Sequence, residues 1–552
     1  MNTVATFSST RRPGTTLRMM FLSVVAVLCV GLASPALGIV ATERLSVATD
    51  GTQGNDISYR QAYSANGRYV AFESMSSNLI PFDTNGHEDV FVRDRLAGTT
   101  TRVSVGTGGT QGDSDSYIPS ISGDGRYVTF LSYATNLVPS DTNASPDVFT
   151  HDRVTGITTR VSVAWDGAQG NGNCAAPSMS ADGRYVGFQS GSTNLVMGDV
   201  NGKTDVFVHD RLTGATNIMS VASGGIIQGN GDSSNAALSA DGRHVAFDSK
   251  ATNLVTGDTN GTYDVFVRDR VTETTTRVSV KSGGGQGDDA SVIPDVSDDG
   301  RYVAFTSYAN DLVPGDTNGS TDVFVRDALL GTTTRVSVNS SGWQASGPSG
   351  EAAISADGRY VAFGSDAPNL VATDTNNKSD TFVHDMTTGV TSIVSLAFDG
   401  AQGNDSSSVP AVSADGRYVG FYSVATNLVP GDTNGKQDAF VVQLRPSVSA
   451  IMRQPNVSSV TYKRRKGAAK YTLSATMTGD FGRPIGSGSV QLQSSKNGKT
   501  WKRYATLTTS SKGVASRSFK SKTKSTTYYR WYLPKTSKWV EATTSKQKVT
   551  VK

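Results

Sequence analysis

The sequence contains little cysteine. Cys29 and Cys174 are the only two among 552 residues, and Cys29 lies in an N-terminal segment that we predict to be removed. One remaining cysteine cannot form an internal disulfide, so packing must stabilise the folded chain. Cys174 stands where other copies of a repeat, described below, have small residues such as Ser, which predicts a structural thiol rather than a reactive one.

Long apolar runs are also scarce. The longest, MMFLSVVAVLCVGL at 19–32, follows Arg11, Arg12 and Arg18 and precedes small residues at 36–38. A positive segment, a short apolar segment and a small-residue cleavage site are typical of a secretory signal peptide. We therefore predict a signal peptide over 1–38, a mature chain without a transmembrane segment, and a secreted, extracellular or cell-wall-associated location. An uncleaved N-terminal anchor is the alternative, and export by the Sec or Tat route stays open.

Acidic and basic residues are unevenly distributed. Residues 446–552 contain 22 Lys and Arg but only Asp480 and Glu541 as acids, whereas residues 39–445 contain 46 acidic and 26 basic residues. The two parts therefore have net charges of about +20 and about −20, a split that predicts domains with different electrostatic partners. We place the domain boundaries at 1–38, 39–445 and 446–552.

One seven-residue phrase occurs seven times in the acidic part, at a spacing of 58 or 59 residues. A fixed period of this length is the signature of a repeat architecture. The phrase begins with a turn-forming Asp-Gly or Asn-Gly dipeptide and continues into an apolar run. The copies are NGRYVAF at 66–72, DGRYVTF at 124–130, DGRYVGF at 182–188, DGRHVAF at 241–247, DGRYVAF at 299–305 and 357–363, and DGRYVGF at 415–421.

Each repeat predicts four strands, of which the second and third have consecutive apolar residues and are therefore buried on both faces. A blade packed between two neighbours meets this demand, so we predict an all-β, seven-bladed β-propeller of four-stranded blades. The fourth-strand phrase ATERLSV at 41–47 precedes the first repeat, and none follows the seventh third strand. We expect this N-terminal strand to pair with 438–443 and close the ring.

The phrases S-x-DGRYVAF and DVFVRDR resemble the WD40-like (PD40) repeat of the TolB-type β-propeller family, over about 39–445. The resemblance implies a scaffold whose members bind proteins or, when fused to a hydrolase domain, gate an active site. We recognise no such hydrolase domain beside the repeats. Because a fold does not by itself determine a function, functional residues have to be sought in the loops.

The loop between the second and third strands has oxygen-bearing side chains at positions i, i+2 and i+6 in every repeat. This spacing resembles calcium loops of the D-x-[DN]-x-[DN]-G type but lacks their bidentate Glu. Asx-turns are the favoured alternative, and calcium is the one candidate cofactor. The candidate metal ligands are Asp83, Asn85, Asp89, Asp141, Asn143, Asp147, Asp199, Asn201, Asp205, Asp258, Asn260, Asp264, Asp316, Asn318, Asp322, Asp374, Asn376, Asp380, Asp432, Asn434 and Asp438.

A second phrase, G-x-Q-G-[ND], joins the fourth strand to the next repeat, as at 51–55, 109–113, 167–171 and 400–404. In an up-and-down blade this loop and the acidic loop emerge on the same rim. We expect the rim to present a polar, acidic face to a protein or glycan ligand. A solvated set of turns is the alternative.

The basic part contains six strand-like runs separated by turn signals, at 471–477, 489–493, 501–507, 514–519, 526–533 and 547–551. A segment of about 100 residues with this pattern predicts an immunoglobulin-like β-sandwich, and GRPIGSGSVQLQSSKNGKTW loosely resembles bacterial surface Ig-like modules. Basic surfaces with aromatic residues can bind nucleic acid. A secreted protein meets anionic cell-wall polymers instead, so we expect these as the partner, with nucleic acid an unlikely one.

Catalytic motifs of the G-x-S-x-G, H-E-x-x-H, P-loop and CxxC types are missing, and we predict no catalytic residue. His151, His209 and His384 replace residues such as Arg93 of other repeats, which suggests exposed polar positions. The leading hypothesis is a secreted or cell-envelope binding or scaffold protein. The rival is an extracellular carbohydrate-active lyase or hydrolase, which needs residues unique to one blade. The segment around Trp343 departs most and is the first place to look.

Overall fold

The computed structural model describes residues 42–444 and, after them, 459–462, 469–476, 489–497, 499–508, 510, 514–521, 525–533, 542–543 and 547–551. Every regular element in these ranges is a β-strand. Within the same ranges, no helix has the length and apolar character needed to cross a membrane. The signal peptide predicted over 1–38 lies outside the described residues, as does the boundary at 445–446.

Residues 42–444 form seven antiparallel sheets of four strands each. The first strands of neighbouring sheets contact one another in an unbroken circle, so they line the central axis of a seven-bladed β-propeller. The chain begins with β1 (Thr42–Arg44). Blade 1 consists of β2 (Ser58–Tyr63), β3 (Tyr69–Ser74), β4 (Asp89–Asp94) and β5 (Thr99–Arg102); blade 2 of β6 (Ser116–Ile121), β7 (Tyr127–Ser132), β8 (Asp147–Asp152) and β9 (Ile157–Arg160); blade 3 of β10 (Cys174–Met179), β11 (Tyr185–Ser190), β12 (Asp205–Asp210) and β13 (Ala215–Ile218); blade 4 of β14 (Ser233–Leu238), β15 (His244–Ser249), β16 (Asp264–Asp269) and β17 (Thr274–Arg277); blade 5 of β18 (Ser291–Val296), β19 (Tyr302–Ser307), β20 (Asp322–Asp327) and β21 (Thr332–Arg335); blade 6 of β22 (Ser349–Ile354), β23 (Tyr360–Ser365), β24 (Asp380–Asp385) and β25 (Val390–Ile393); and blade 7 of β26 (Ser407–Val412), β27 (Tyr418–Ser423) and β28 (Asp438–Gln443), with β1.

The N-terminal strand closes the ring, as predicted. β1 pairs antiparallel with β28, and Thr42 lies opposite Val442 while Arg44 lies opposite Phe440. Beyond the strand, the Leu45 N–H donates to the Ala439 carbonyl at 2.8 Å. Blade 7 therefore joins the two ends of the propeller chain, because β1 covers the edge of β28 that would otherwise be unpaired.

The consecutive apolar residues of the second and third strands form the core, because both faces of these strands are covered. In blade 1, Phe72 and Phe91 are fully buried and stack with ring centroids 5.8 Å apart. The equivalent pairs of the other blades stack in the same way. The hydrophobic clusters extend from one blade to the next, as where Val90 of β4 packs with Phe130 of β7. Burial of this apolar area is the main driving force for the ring.

A belt of backbone hydrogen bonds joins all seven blades at the turns between the first and second strands. Each turn donates an N–H to the carbonyl of the next, and the Asp415 N–H donates to the Ala65 carbonyl at 3.1 Å, which completes the circle. In six of the seven blades a Gly or Ala before the Asp-Gly or Asn-Gly dipeptide lets the turns approach this closely, and Asp298 stands at this place in blade 5. The other donors are Ala65, Gly123, Ala181, Ala240, Asp298 and Ala356, with distances of 2.8–3.2 Å.

Arginine and tyrosine residues link neighbouring blades near the same turns. Arg126 makes a two-bond ion pair with Asp152 of its own blade at 2.9 and 2.7 Å. The Arg153 guanidinium of blade 2 lies over the ring of Tyr69 in blade 1, 4.5 Å from its centroid, a favourable cation–π contact. Gly125 packs against the same Tyr69 ring at a φ of +75°, so this turn needs glycine for both space and conformation.

The described part of the basic segment is also all-β. It has one sheet in the order β29-β36-β34-β31-β32, with β35 beside β34, and a separate ribbon of β30 and β33. The six predicted strand runs are all present, whereas the Ig-like assignment itself stays a prediction. The strands are β29 (Ser459–Tyr462), β30 (Ala469–Thr476), β31 (Ser489–Ser495), β32 (Lys502–Thr508), β33 (Val514–Ser521), β34 (Ser525–Leu533), β35 (Ala542–Thr543) and β36 (Gln547–Val551).

Candidate functional site: the acidic-loop rim

The Asn of each acidic loop acts mainly as a turn-forming residue. In blade 1, Asn85 Oδ1 accepts the His87 N–H at 3.2 Å, and Asn85 Nδ2 donates to the Gly112 carbonyl and to Asp89 Oδ2, each at 3.1 Å. The bond from the His87 N–H makes an Asx-turn, and the side chain presents its amide group to the carboxylate. An amide donor facing the carboxylate is not arranged as a metal ligand.

The two Asp carboxylates of a loop do converge, but on an arginine. Arg102 Nη1 of β5 lies 2.9 Å from Asp83 Oδ1 and 2.8 Å from Asp89 Oδ2. All three side chains are at least nine-tenths buried. The guanidinium of Arg102 therefore neutralises negative charge that would be costly to bury alone. We call this arrangement, one arginine bonded to both carboxylates of an acidic loop, the arginine clasp. It also occurs with Arg160 on Asp141 and Asp147, Arg277 on Asp258 and Asp264, Arg335 on Asp316 and Asp322, and Arg44 on Asp432 and Asp438.

These five loops do not fit calcium as the structure has them. The Ser162 hydroxyl donates to the remaining oxygen of Asp147 at 2.6 Å, so this carboxylate is bonded on both sides. Among the described residues, no group of three or more His, Cys, Asp and Glu side chains is placed to hold a metal ion. Calcium has to displace a guanidinium in these blades, and calcium binding at the loops stays a prediction.

The G-x-Q-G loop lies on the same rim as the acidic loop, as the sequence predicts. Gln169 Nε2 donates to Asp141 Oδ1 at 2.6 Å and to Asp147 Oδ2 at 2.9 Å. Blades 3 and 6 depart from the clasp because Ile218 and Ile393 stand where the other five blades have Arg. Sequence reasoning missed the role of this Arg, although it is present in five of the seven fourth-strand phrases, as in TTTRVSV at 99–105.

A second group of side chains gathers on this rim, where the inner strands begin, and we call it the mouth cluster. It consists of Tyr59, Glu73, Glu88, Tyr117, Tyr133 and Tyr422. The rings of Tyr59 and Tyr422 meet edge-on with centroids 5.9 Å apart, and those of Tyr117 and Tyr133 lie 6.0 Å apart. Burial and the charges of Glu88 and Glu73 raise the pKa of Tyr59. These shared charges show that the aromatic and acidic side chains form one neighbourhood.

The two acids of the mouth cluster have pKa values above the ordinary value for a glutamate. Burial raises the pKa of Glu73, which accepts the Ile118 N–H at 2.6 Å. Burial and the charges of Glu73, Asp115 and Asp89 raise the pKa of Glu88 to about 7. Glu88 Oε1 is buried and has no hydrogen-bond partner among the described residues. A group of this kind is suited to a hydroxyl or amide of a ligand, because an unpaired buried oxygen is costly.

The mouth cluster is confined to blades 7, 1 and 2. Sequence reasoning missed it, although Tyr59 and Tyr117 stand out at a position that is small or aliphatic in the five other blades. By contrast, the segment at Trp343 shares its arrangement with blade 1, since Gln344 Nε2 donates to Thr317 Oγ1 at 3.0 Å as Gln111 Nε2 donates to Thr84 Oγ1 at 2.9 Å. The residues at the positions of Tyr59 and Tyr117 in the other blades are Ala175, Ser234, Val292, Gly350 and Ser408.

The three histidines of the third strands are buried, so the prediction of exposed positions is wrong. His209 is 6% exposed and its Nδ1 lies 2.9 Å from Thr216 Oγ1. Burial lowers the pKa of His209 to about 4. Arg93, at the equivalent position of blade 1, is buried in the same way and donates to Thr100 Oγ1. In the six blades that have Arg or His at this position, the side chain bonds the equivalent threonine from inside the blade.

The sheets and the loops define the class of this protein as a seven-bladed β-propeller with a polar loop rim. The chain is similar to a number of solved structures. They include a structure assigned to TolB of Agrobacterium tumefaciens, with 16% identity and a TM-score of 0.34, covering 62% of this chain and 94% of that one.

Two further solved structures are similar to the chain, with comparable identities and TM-scores. One is a prolyl endopeptidase, with 13% identity and a TM-score of 0.43, covering 76% of this chain and 54% of that one. The other is a chain of a mitotic checkpoint complex, with 12% identity and a TM-score of 0.37, covering 75% of this chain and 98% of that one. The sequence matches no established family profile and no curated protein.

Proposed function

We propose that this chain is an exported binding protein of the cell envelope whose propeller holds a glycan at the mouth cluster. The observation that carries the proposal is the asymmetry of the mouth. Blades 7, 1 and 2 bring together four tyrosines, the buried Glu73 and the half-buried Glu88, whereas elsewhere only single members have counterparts, such as Tyr308 in blade 5 and Asp248 in blade 4. Structural demands are the same in every blade, so a combination found only on these three is best explained by a ligand.

A glycan suits this chemistry for two reasons. Tyrosine rings offer flat apolar faces with a polar tip, which pack against the C–H face of a sugar ring. Glu73 and Glu88 offer oxygen acceptors, and Glu88 with a pKa of about 7 can also donate a proton in a hydrogen bond to a sugar oxygen. Exposed Tyr133, at 45%, lies at the edge of the cluster, where it can contact a chain of sugars.

The basic segment supports a location at an anionic envelope. Its 22 Lys and Arg against two acids attract anionic polymers over a range set by the salt concentration. Export itself is supported by the signal-like sequence over 1–38. In this proposal the propeller selects a ligand while the basic segment retains the chain on teichoic-acid-like or other polyanionic wall material.

A glycan array with the mature chain, residues 39–552, tests the propeller part. Tyr133→Ala should weaken binding of any glycan found on the array by about tenfold or more, as loss of an aromatic anchor does. Tyr308→Ala is the matched control, because Tyr308 has the same position in blade 5 and is 52% exposed. Equal losses in both variants, or no glycan binding by the wild-type chain, contradict the proposal.

The envelope part is tested separately by retention of the mature chain on purified anionic cell wall at increasing salt. Retention should fall between about 50 mM and 300 mM NaCl, because screening shortens the reach of the charges. Salt-independent retention, or none at low salt, contradicts this part alone.

A carbohydrate-active enzyme is the second candidate, favoured by the acid pair itself. Two neighbouring carboxyl groups whose pKa values are raised by burial, that of Glu88 also by the charge of Glu73, are the chemistry of general acid and base catalysis. An array hit should then be incubated with the mature chain and its products analysed by mass spectrometry. Cleavage that Glu88→Gln abolishes assigns the enzyme, and intact glycan assigns the binding protein.

A further inference from the structure

Glu88 is close to both tyrosine pairs of the mouth cluster. Tyr59 pairs with Tyr422, and Tyr117 pairs with Tyr133. Burial raises the pKa of Tyr59 and of Tyr117, and the charge of Glu88 contributes to both rises. One carboxylate therefore acts on aromatic rings from blades 1 and 2 together.

The surroundings of Glu88 are mainly negative. Burial and the charges of Glu73 and Asp115 are the largest causes of its raised pKa. The Asp115 carboxylate lies 3.1 Å from His87 Nδ1 and accepts the Glu88 N–H at 3.0 Å. Among the described residues, no hydrogen bond reaches Glu88 Oε1, although the side chain stays partly exposed. A positive charge placed here is therefore stabilised by several acids at once.

The blade 7 side of the cluster is also more acidic than basic. Burial and the charge of Glu351 raise the pKa of Tyr422, and the charge of Arg60 opposes this rise. Both Arg60 and Glu351 are exposed. Glu73, Glu88, Asp115 and Glu351 together bring more negative charge than Arg60 and His87 bring positive charge, so the cluster favours a cation over an anion.

Aromatic rings beside carboxylates are suited to an organic ammonium group. The faces of tyrosine rings attract cations, and carboxylates form strong hydrogen bonds with charged N–H donors. A primary ammonium has such donors, whereas a quaternary ammonium has none. The unbonded carboxylate oxygen of Glu88 therefore indicates a primary ammonium.

We propose that the mouth cluster selects a glycan with free amino groups, an amino sugar that carries no N-acetyl group. This inference rests on the proposed function, because it names the class of glycan that the same cluster binds. The ammonium lies beside Glu88, and the tyrosine rings cover the C–H face of the sugar. N-acetylation removes both the positive charge and the charged N–H donors, so the cluster discriminates against it.

Blade 4 provides an internal comparison for the acids of the cluster. Glu73 accepts the Ile118 N–H of the next blade at 2.6 Å, and Asp248 of blade 4 accepts the Ile293 N–H of its own next blade at 2.9 Å. Asp248 thus makes the same structural bond outside the mouth cluster. Its amide variant is a matched control for that of Glu73.

The test compares a tetramer of glucosamine with its fully N-acetylated twin, which has the same sugar backbone without the charge. Isothermal titration calorimetry measures the Kd of each for the mature chain at pH 7. The glucosamine tetramer should bind tighter by about tenfold or more, because its ammonium groups meet rings and acids together. Tetralysine is the control for unspecific attraction and should bind about tenfold more weakly than the glucosamine tetramer.

Glu88→Gln should remove most of this preference. It should weaken binding of the glucosamine tetramer by about tenfold and leave the affinity for the acetylated twin unchanged, since only the charge is lost. A purely structural role of Glu88 changes both affinities alike. The Tm of Glu88→Gln at pH 7 should not fall, because the surroundings of Glu88 already favour its neutral form.

Glu73→Gln should also lower the preference for the free amine, while its amide oxygen can still accept the Ile118 N–H. Asp248→Asn should leave both affinities unchanged. Equal losses in these two variants overturn the proposal, because the propeller's overall charge then attracts the tetramer.

Equal affinities of the wild-type chain for the two tetramers, or an unchanged preference in Glu88→Gln, also overturn the proposal. So does tighter binding of an oligogalacturonate than of the glucosamine tetramer, because Arg60 then selects an anionic glycan. If the array yields a neutral glycan whose binding Tyr133→Ala weakens, and the free amine brings no preference, this inference alone is wrong. If no glycan binds at all, the proposed function is wrong as well.

Discussion

The arginine clasp of the acidic loops depends on how each carboxylate is shared. In blade 1, Gln111 bonds Arg102 and Thr84, so Arg102 alone neutralises Asp83 and Asp89. In blade 2, Gln169 bonds both carboxylates in addition to the arginine. The two carboxylates of the acidic loop therefore depend on their arginine more in blade 1 than in blade 2.

Arg102→Leu should lower the free energy of unfolding by about 3 kcal/mol, because it leaves two buried carboxylates without a cation. Arg160→Leu, the matched change in blade 2, should lower it by about half as much, since Gln169 still donates to both acids. Urea unfolding of the two variants measures the difference. Equal losses contradict a bridging role for the glutamine.

Calcium should have little effect on stability, since most acidic loops already hold a guanidinium. The Tm of the mature chain, measured by calorimetry, should be the same within about 1 °C after chelation with EDTA and after restoring calcium, because only ligands that bind the folded state shift it. Magnesium is the control for ionic strength. A calcium-specific rise in Tm supports the metal interpretation of the loops instead.

Cys174 replaces a serine that recurs in the other blades, where it bonds a second serine across the sheet at 2.8–2.9 Å. In blade 3 the Cys174 thiol donates to Ser190 Oγ at 3.4 Å, and burial raises the pKa of the thiol to about 12. A thiol of this kind is inert at neutral pH, because the thiolate is the reactive species.

Cys174→Ser should change the free energy of unfolding by no more than about 1 kcal/mol, the size of one hydrogen bond. The wild-type thiol should react with Ellman's reagent only after unfolding. Fast reaction of the native protein contradicts the structural assignment of Cys174.

At the scale of elements, the turn between the first and second strands combines a backbone demand with a packing demand. Gly125 has a φ of +75°, and a Cβ at this residue would lie 2.1 Å from Tyr69 Cδ2. Gly156, between the third and fourth strands of the same blade, has a φ of +70° but open space around it. The two glycines separate conformational strain from steric clash.

Gly156→Ala should cost about 1 kcal/mol, for the left-handed conformation alone. Gly125→Ala should cost about 3 kcal/mol, because the added methyl also displaces a ring that two arginines cover. Urea unfolding of both variants gives the comparison. A loss at Gly125 no larger than that at Gly156 would show that the Tyr69 ring moves aside freely.

At the scale of the whole molecule, closure of the ring depends on three residues of β1 and the segment after it. Arg44 of β1 also supplies the cation for Asp432 and Asp438. The N-terminal strand thus completes both the sheet and the charge balance of blade 7.

Deletion of 39–47 should lower the Tm by about 10 °C or more, since it exposes the edge of β28 and leaves two buried acids unpaired. It should also promote dimers by pairing of exposed edges. Deletion of 39–41, which precede β1, is the control and should leave the Tm unchanged. Calorimetry and light scattering provide the measurements, and equal Tm values for both deletions rule out closure by β1 as a source of stability.

The sequence by itself determined the number of blades, the four strands of each and the closing strand. These follow from local signals that repeat seven times: Asp-Gly turns, runs of consecutive apolar residues and one displaced fourth-strand phrase. Repetition strengthens each signal, because an error in one copy is corrected by the other six.

Only the tertiary structure decided what the charged loops do. Asp83 and Arg102 are 19 residues apart and the tyrosines of the mouth cluster belong to three blades, so no spacing along the chain reveals their contacts. His209 likewise has a donor role that depends on Thr216 of the neighbouring strand. Binding sites arise where several blades meet, because side-chain chemistry depends on which groups packing brings within hydrogen-bond distance and on how much water packing removes.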